Sequence, residues 1–114
     1  MTIEKILVDY TNITKIEKNI SISLLGYRYN ICILPRLNSK NGFISIYQDG
    51  EPLVINRAIS IDEPLISLNN SYSNGLIDFV ITYDKAYIVD NVFDINRLGK
   101  DLFLYYIRVD EDEI

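Results

Sequence analysis

Few side chains in this 114-residue sequence are of the types that do acid–base or nucleophilic chemistry at neutral pH. Histidine is absent, which excludes Ser-His-Asp and Cys-His catalysis, His-ligated zinc and an imidazole pH switch together. The carboxylates Asp62, Glu63, Asp90 and Asp94 could form an acid–base pair of the glycosidase kind. All four fall in expected turns or strand ends, and no spacing singles out a pair. Cys32 is the single cysteine, set in the apolar run Ile31-Cys32-Ile33-Leu34. It excludes an intrachain disulfide and a Cys-cluster metal site, and the run predicts a buried, inert thiol. The acidic run Asp110-Glu111-Asp112-Glu113 lacks the alternate spacing and the glycine that wrap a loop around calcium, so a solvated tail is expected. Arg57 and Arg97, in Asn56-Arg57 and Asn96-Arg97, carry forks that could grip a partner's carboxylate.

These residues need a scaffold, and composition bounds it. Apolar residues make up 48% of the chain and charged residues 24%, as in ordinary globular domains. The length suits one domain with one core, expected over residues 1–109 with residues 110–114 as an acidic tail. Eleven basic against sixteen acidic residues leave a net charge of −5. That balance argues against nucleic-acid binding, which needs a basic face. Neither a signal-peptide layout at Met1-Thr2-Ile3-Glu4-Lys5 nor an apolar run of membrane-spanning length is found, so a soluble chain is expected.

Period-two alternation dominates the hydrophobic pattern. Ile20, Ile22 and Leu24 oppose Ser21 and Ser23, and Tyr27, Tyr29, Ile31 and Ile33 oppose Arg28 and Asn30. The two runs predict a hairpin around Leu25-Gly26, its second strand ending at Pro35. Asn38 to Gly42 reads as a turn, Phe43 to Gln48 as a strand, and Asp49-Gly50 as a hairpin turn answered by Leu53-Val54-Ile55. Arg57 to Ile61 either extends that strand or forms a short one, and a helical turn is possible over Glu63 to Ser67. Leu76 to Tyr83 and Asp101 to Val109 are the two most apolar strands, and Ile3 to Tyr10 is a weaker edge strand or exchanged arm. In the last strand Phe103, Tyr105, Ile107 and Val109 share one face, and Leu102, Leu104 and Tyr106 the other. We expect the face of Leu102, Leu104 and Tyr106 to lie outward and meet a partner. The fold class is all-β: a small antiparallel barrel or sandwich of about seven short strands.

The order of these features resembles a known family. A strand ends in Leu25-Gly26, Tyr27-x-Tyr29 follows, and a polar turn carries Asn38 and Gly42. Phe43 opens the next strand, where many members have tryptophan. Asp49-Gly50, Leu53-Val54-x-Asn56-Arg57 and Leu98-Gly99-Lys100-Asp101-Leu102-x-Leu104-x-Tyr106 complete the pattern. It resembles the small plug proteins of contractile-tail phage baseplates and phage-tail-like bacteriocins. The resemblance implies a non-enzymatic structural subunit that plugs or braces the central hub near the tube end. It also implies hub, spike and tube proteins and copies of itself around the tail axis as partners. No cofactor, metal, nucleic acid or membrane is implied, and the location would be the virion baseplate or bacteriocin particle, assembled in the bacterial host cytoplasm. Candidate partner contacts are Arg57, Arg97, Leu102, Leu104 and Tyr106.

Nine tyrosines exceed what one core needs, unless they fill it in place of the missing tryptophan. The Asn- and Tyr-rich stretch Asn69 to Asn74 leaves an alternative open, a small carbohydrate- or peptide-binding β module.

Overall fold

The structure is a computed structural model that describes residues 2–11, 15–66, 77–84 and 92–108. Asp90, the Asn69 to Asn74 tract, Val109 and the acidic run lie outside those residues. Seven strands are present among the described residues: β1 (Thr2–Lys5), β2 (Lys18–Leu24), β3 (Tyr27–Pro35), β4 (Gly42–Gln48), β5 (Glu51–Ala58), β6 (Ile77–Tyr83) and β7 (Leu102–Arg108). They pair antiparallel into a four-stranded sheet, β2-β3-β4-β5, and a three-stranded sheet, β1-β7-β6. The sheets stack as a sandwich and, among the described residues, do not close into a barrel. No described helix is long and apolar enough to cross a membrane.

Local chemistry explains the four-stranded meander. Leu24 faces Tyr27 across Leu25-Gly26, and Gln48 faces Glu51 across Asp49-Gly50. Both turns have two residues at positive φ, 52° and 81° in the first and 49° and 85° in the second. That is the hairpin geometry whose twist matches the flanking strands. Asp49 also braces the neighbouring hairpin, because its carboxylate accepts the Arg28 N–H at 2.9 Å. β5 continues through Arg57 to Ala58, with an irregular register against β4 and Asn56 at φ 47°. So the Arg57 segment extends the strand rather than starting another.

The chain then crosses from one sheet to the other. Ile59 N–H donates to Gly42 O, beside β4, while Asp62 and Leu65 N–H donate to Ile81 O and Phe79 O, beside β6. The described part of the Glu63 to Ser67 segment, up to Ile66, is bend and turn rather than helix. The helical turn that does form is a 3₁₀ turn at Ile95–Arg97, capped by Asp94, whose carboxylate accepts the Asn96 N–H at 2.9 Å.

One core lies between the sheets. Ile20, Tyr29, Ile31, Ile33, Ile44, Ile46 and Val54 supply one layer, and Ile77, Phe79, Ile81, Leu102 and Leu104 the other. Leu102 and Leu104 are fully buried, which reverses the expected orientation of β7. Both faces of that strand are apolar, so alternation alone does not say which turns inward. Leu102 and Leu104 fill the interior, while Phe103, Tyr105 and Ile107 on the opposite face are only partly buried.

Candidate functional site

β7 is the centre strand of its sheet, and its outward face carries Phe103, Tyr105 and Ile107. The register sets Ile3 and Asp78 on either side of Ile107, Lys5 and Val80 beside Tyr105, and Thr82 beside Phe103. Directly opposed residues share a sheet face. The result is an aliphatic and aromatic surface on the outside of the sandwich, with Ile3 54% exposed. Tyr106 is on the inward side of β7 but at its margin, half-buried, and its phenol donates to Glu4. That hydrogen bond is the main reason its pKa is raised, followed by burial.

One end of this outer face is knotted by polar groups. Lys5 Nζ bonds Asp84 Oδ2 at 2.8 Å and stands 3.8 Å from the centroid of the Phe103 ring. Tyr105 donates to the other oxygen of Asp84, and burial and that carboxylate both hold its pKa above the usual phenol range. Tyr10 meets Phe103 edge to face at 6.0 Å and its hydroxyl donates to Ile6 O at 3.1 Å. Gly99 lies under Tyr10; a Cβ there would come within 2.5 Å of Tyr10 Cβ. These contacts pin β1 and the Tyr10 segment against β7.

The outer face of the four-stranded sheet is mixed, with Leu34, Phe43 and Tyr47 beside its polar groups. Asn19, Cys32 and Ser45 align across three strands, as do Ser21, Asn30 and Tyr47. Arg28 Nε donates to Ser21 Oγ at 3.1 Å, and Ser45 Oγ accepts the Asn56 N–H at 2.9 Å. Cys32 is on this face, partly exposed, and not in the core as its apolar neighbours imply. Strand alternation turns Ile31 and Ile33 inward and leaves Cys32 outward, where its thiol donates to Glu17. Desolvation, then the Glu17 hydrogen bond, push its pKa up to about 12.

Both arginines singled out from the sequence are committed within the chain. Arg57 donates to Leu65 O at 2.8 Å and lies 3.9 Å from Glu63, bracing the crossover. Arg97 makes the bidentate grip with its own Asp101 and lies 4.7 Å over the Tyr83 ring. The fork geometry is as expected, but its carboxylate comes from four residues along rather than from a partner. Of the five expected contacts, Tyr106 keeps part of its surface exposed, while its ring packs against the core and its phenol ties β7 to Glu4 of β1.

The carboxylates are separated in the same way. Asp62 accepts from Thr82, Glu63 from Ser60 at 2.9 Å, and Asp94 caps the 3₁₀ turn. Among the described residues no three Cys, Asp or Glu side chains converge in a manner that could hold a metal. Among the described residues, open depressions lie at opposite hairpin ends of the four-stranded sheet. One of about 280 Å³ is lined by Tyr27, Gln48, Asp49, Glu51 and Leu53. Another, of about 390 Å³, is lined by Lys15, Pro35, Arg36, Leu37, Asn38 and Ser39. The chain matches no protein-family model and no curated protein.

The outward set Ile3, Val80, Phe103, Tyr105 and Ile107 escaped sequence reasoning as a contact surface. No signal within β7 singles it out, because each face of that strand carries a tyrosine, Tyr105 on one and Tyr106 on the other.

Proposed function

We propose that this chain is a non-enzymatic structural subunit of a contractile-tail baseplate, from a phage or a phage-tail-like bacteriocin. It would plug or brace the central hub near the tube end, in contact with hub, spike and tube proteins. The order of turns and strands that resembles the plug proteins supplies the assembly. The observation that carries a packing role is the outer face of β1-β7-β6, where Ile3, Val80, Phe103, Tyr105 and Ile107 present apolar groups among Lys5, Asp78 and Thr82. Outer sheet faces of free-standing sandwiches are usually polar. β1 is also an edge strand only four residues long, an edge that a neighbouring chain can extend. Aromatic and aliphatic groups in such numbers suit a permanent contact that excludes water.

Co-expression with the hub, spike and tube proteins encoded beside it tests the reading, using size-exclusion chromatography with light scattering. A defined multi-copy complex is expected, and Ile3→Glu with Val80→Lys should dissolve it while the circular dichroism spectrum is unchanged. A monomer that ignores all three proteins overturns the baseplate reading. Ligand screening for the carbohydrate- or peptide-binding alternative would then follow.

A further inference from the structure

The β3–β4 loop and the segment before β2 carry positive charge that makes no ion pair with a described carboxylate. The cations are Lys15, Arg36 and Lys40, all exposed, although the chain as a whole is at −5. Glu17, the nearest acid in sequence, accepts from Cys32. Beside these cations stand two aliphatic side chains in water, Leu37 at 86% and Ile16 at 59% exposure. Lys15, Arg36 and Leu37 together line the depression of about 390 Å³. A cationic groove with an apolar lip fits an extended acidic segment with apolar flanks.

This chain contains such a segment, Val109-Asp110-Glu111-Asp112-Glu113-Ile114. We propose that the groove of one copy binds the Asp110–Glu113 run of a second copy. Reach favours a second copy over the same chain. The loop is at the end of the sandwich where β7 begins, because Ile95 N–H donates to Lys40 O and Leu98 bridges to Leu102. β7 carries the chain from Leu102 to Arg108, roughly 20 Å away from that end. From Arg108 the acidic run extends only about 7 to 17 Å at full stretch, which is too short to return along the strand and cross to the other sheet. The groove and the Arg108 end of β7 therefore lie at opposite ends of a protomer, the arrangement that would link copies head to tail and close a ring when the rotation permits. The inference rests on the assembly reading only in taking a second copy as the occupant.

Sedimentation velocity on the full chain tests it. Self-association is expected in low salt and should weaken as salt screens the contact. Lys15→Glu with Arg36→Glu, and separately Asp110→Lys with Asp112→Lys, should each weaken it about tenfold or more, since several exposed ion pairs act together. Mixing the two charge-reversed proteins should restore association, a result that misfolding of either does not mimic. Unchanged association in the reversed proteins, or failure of the mixture, overturns the proposal. So does reversal of the groove altering protease cleavage of the acidic run in a strictly monomeric sample, which would place the contact within one chain. Loss through equal competition by an unrelated single-stranded DNA would make the groove a general anion site and also overturn it. A wild-type chain that co-elutes with the hub but never self-associates removes this inference and leaves the assembly reading standing.

Discussion

Tyr29 and Phe79 meet edge to face across the interior, their centroids 5.3 Å apart and their planes at 72°. Tyr29 belongs to the four-stranded sheet and Phe79 to the three-stranded one, and both are essentially inaccessible to water. This contact is an aromatic tie between the two layers. Phe79→Ala should destabilise the fold by about 3–5 kcal/mol through lost burial and an unfilled cavity. That is a large part of the ~5–15 kcal/mol typical of a domain. Urea unfolding checks it, and a loss below about 1 kcal/mol would mean the sheets do not depend on this seam.

The Leu25-Gly26 turn offers a gain. Leu25 is at φ 52° and 48% exposed, so it bears left-handed strain without filling the core. Leu25→Asn should raise stability by about 1 kcal/mol, because asparagine tolerates that region through local hydrogen bonding. At the other turn Asp49 is already suited to φ 49° and accepts from the Arg28 N–H. Asp49→Ala should therefore destabilise by about 1–2 kcal/mol. Both changes are measured by the same urea midpoint.

Local chemistry was readable in the sequence, and distant pairing was not. Asp49-Gly50 and the Tyr27, Tyr29, Ile31, Ile33 alternation determine a hairpin and its buried face within a few residues. Which face of β7 turns inward depends instead on a sheet partner distant in sequence, since Phe79 pairs with Tyr106 and Ile81 with Leu104 on the buried side. Arg97 illustrates the same limit at one residue. Its bidentate grip follows from its type, but that Asp101 fills it depends on the tight 3₁₀ turn and the positive φ at Gly99. Cys32 shows alternation overriding composition: apolar neighbours on both sides still leave every second residue outward.

Alkaline pH should weaken the fold through its tyrosines. Burial, with the nearby Tyr27, Asp49 and Asp78 charges, pushes the Tyr29 phenol up to about 12 from 10.0. Its pKa is higher folded than unfolded, so its contribution is complete below pH 10 and is lost as pH rises towards 12. Two units correspond to roughly 2–3 kcal/mol. Tyr10 and Tyr105 are raised in the same direction, mainly by burial. Urea midpoints should fall steeply across that range, and Tyr29→Phe should flatten part of the slope. An equal slope in that variant would assign the loss to other groups.

The thiol of Cys32 should be sluggish although it is partly exposed. Only the thiolate attacks alkylating reagents, and desolvation with the Glu17 hydrogen bond pushes this thiol up to about 12 from 9.0. At pH 8 the native protein should react at least about a hundredfold more slowly than the urea-unfolded chain. Glu17→Gln removes the acceptor charge while keeping the size, so it should speed native alkylation and lower the pH at which the rate rises. Access alone would leave that pH profile where it was and change only the plateau. A profile that does not move in Glu17→Gln would therefore show that Glu17 has no hold on the thiol proton.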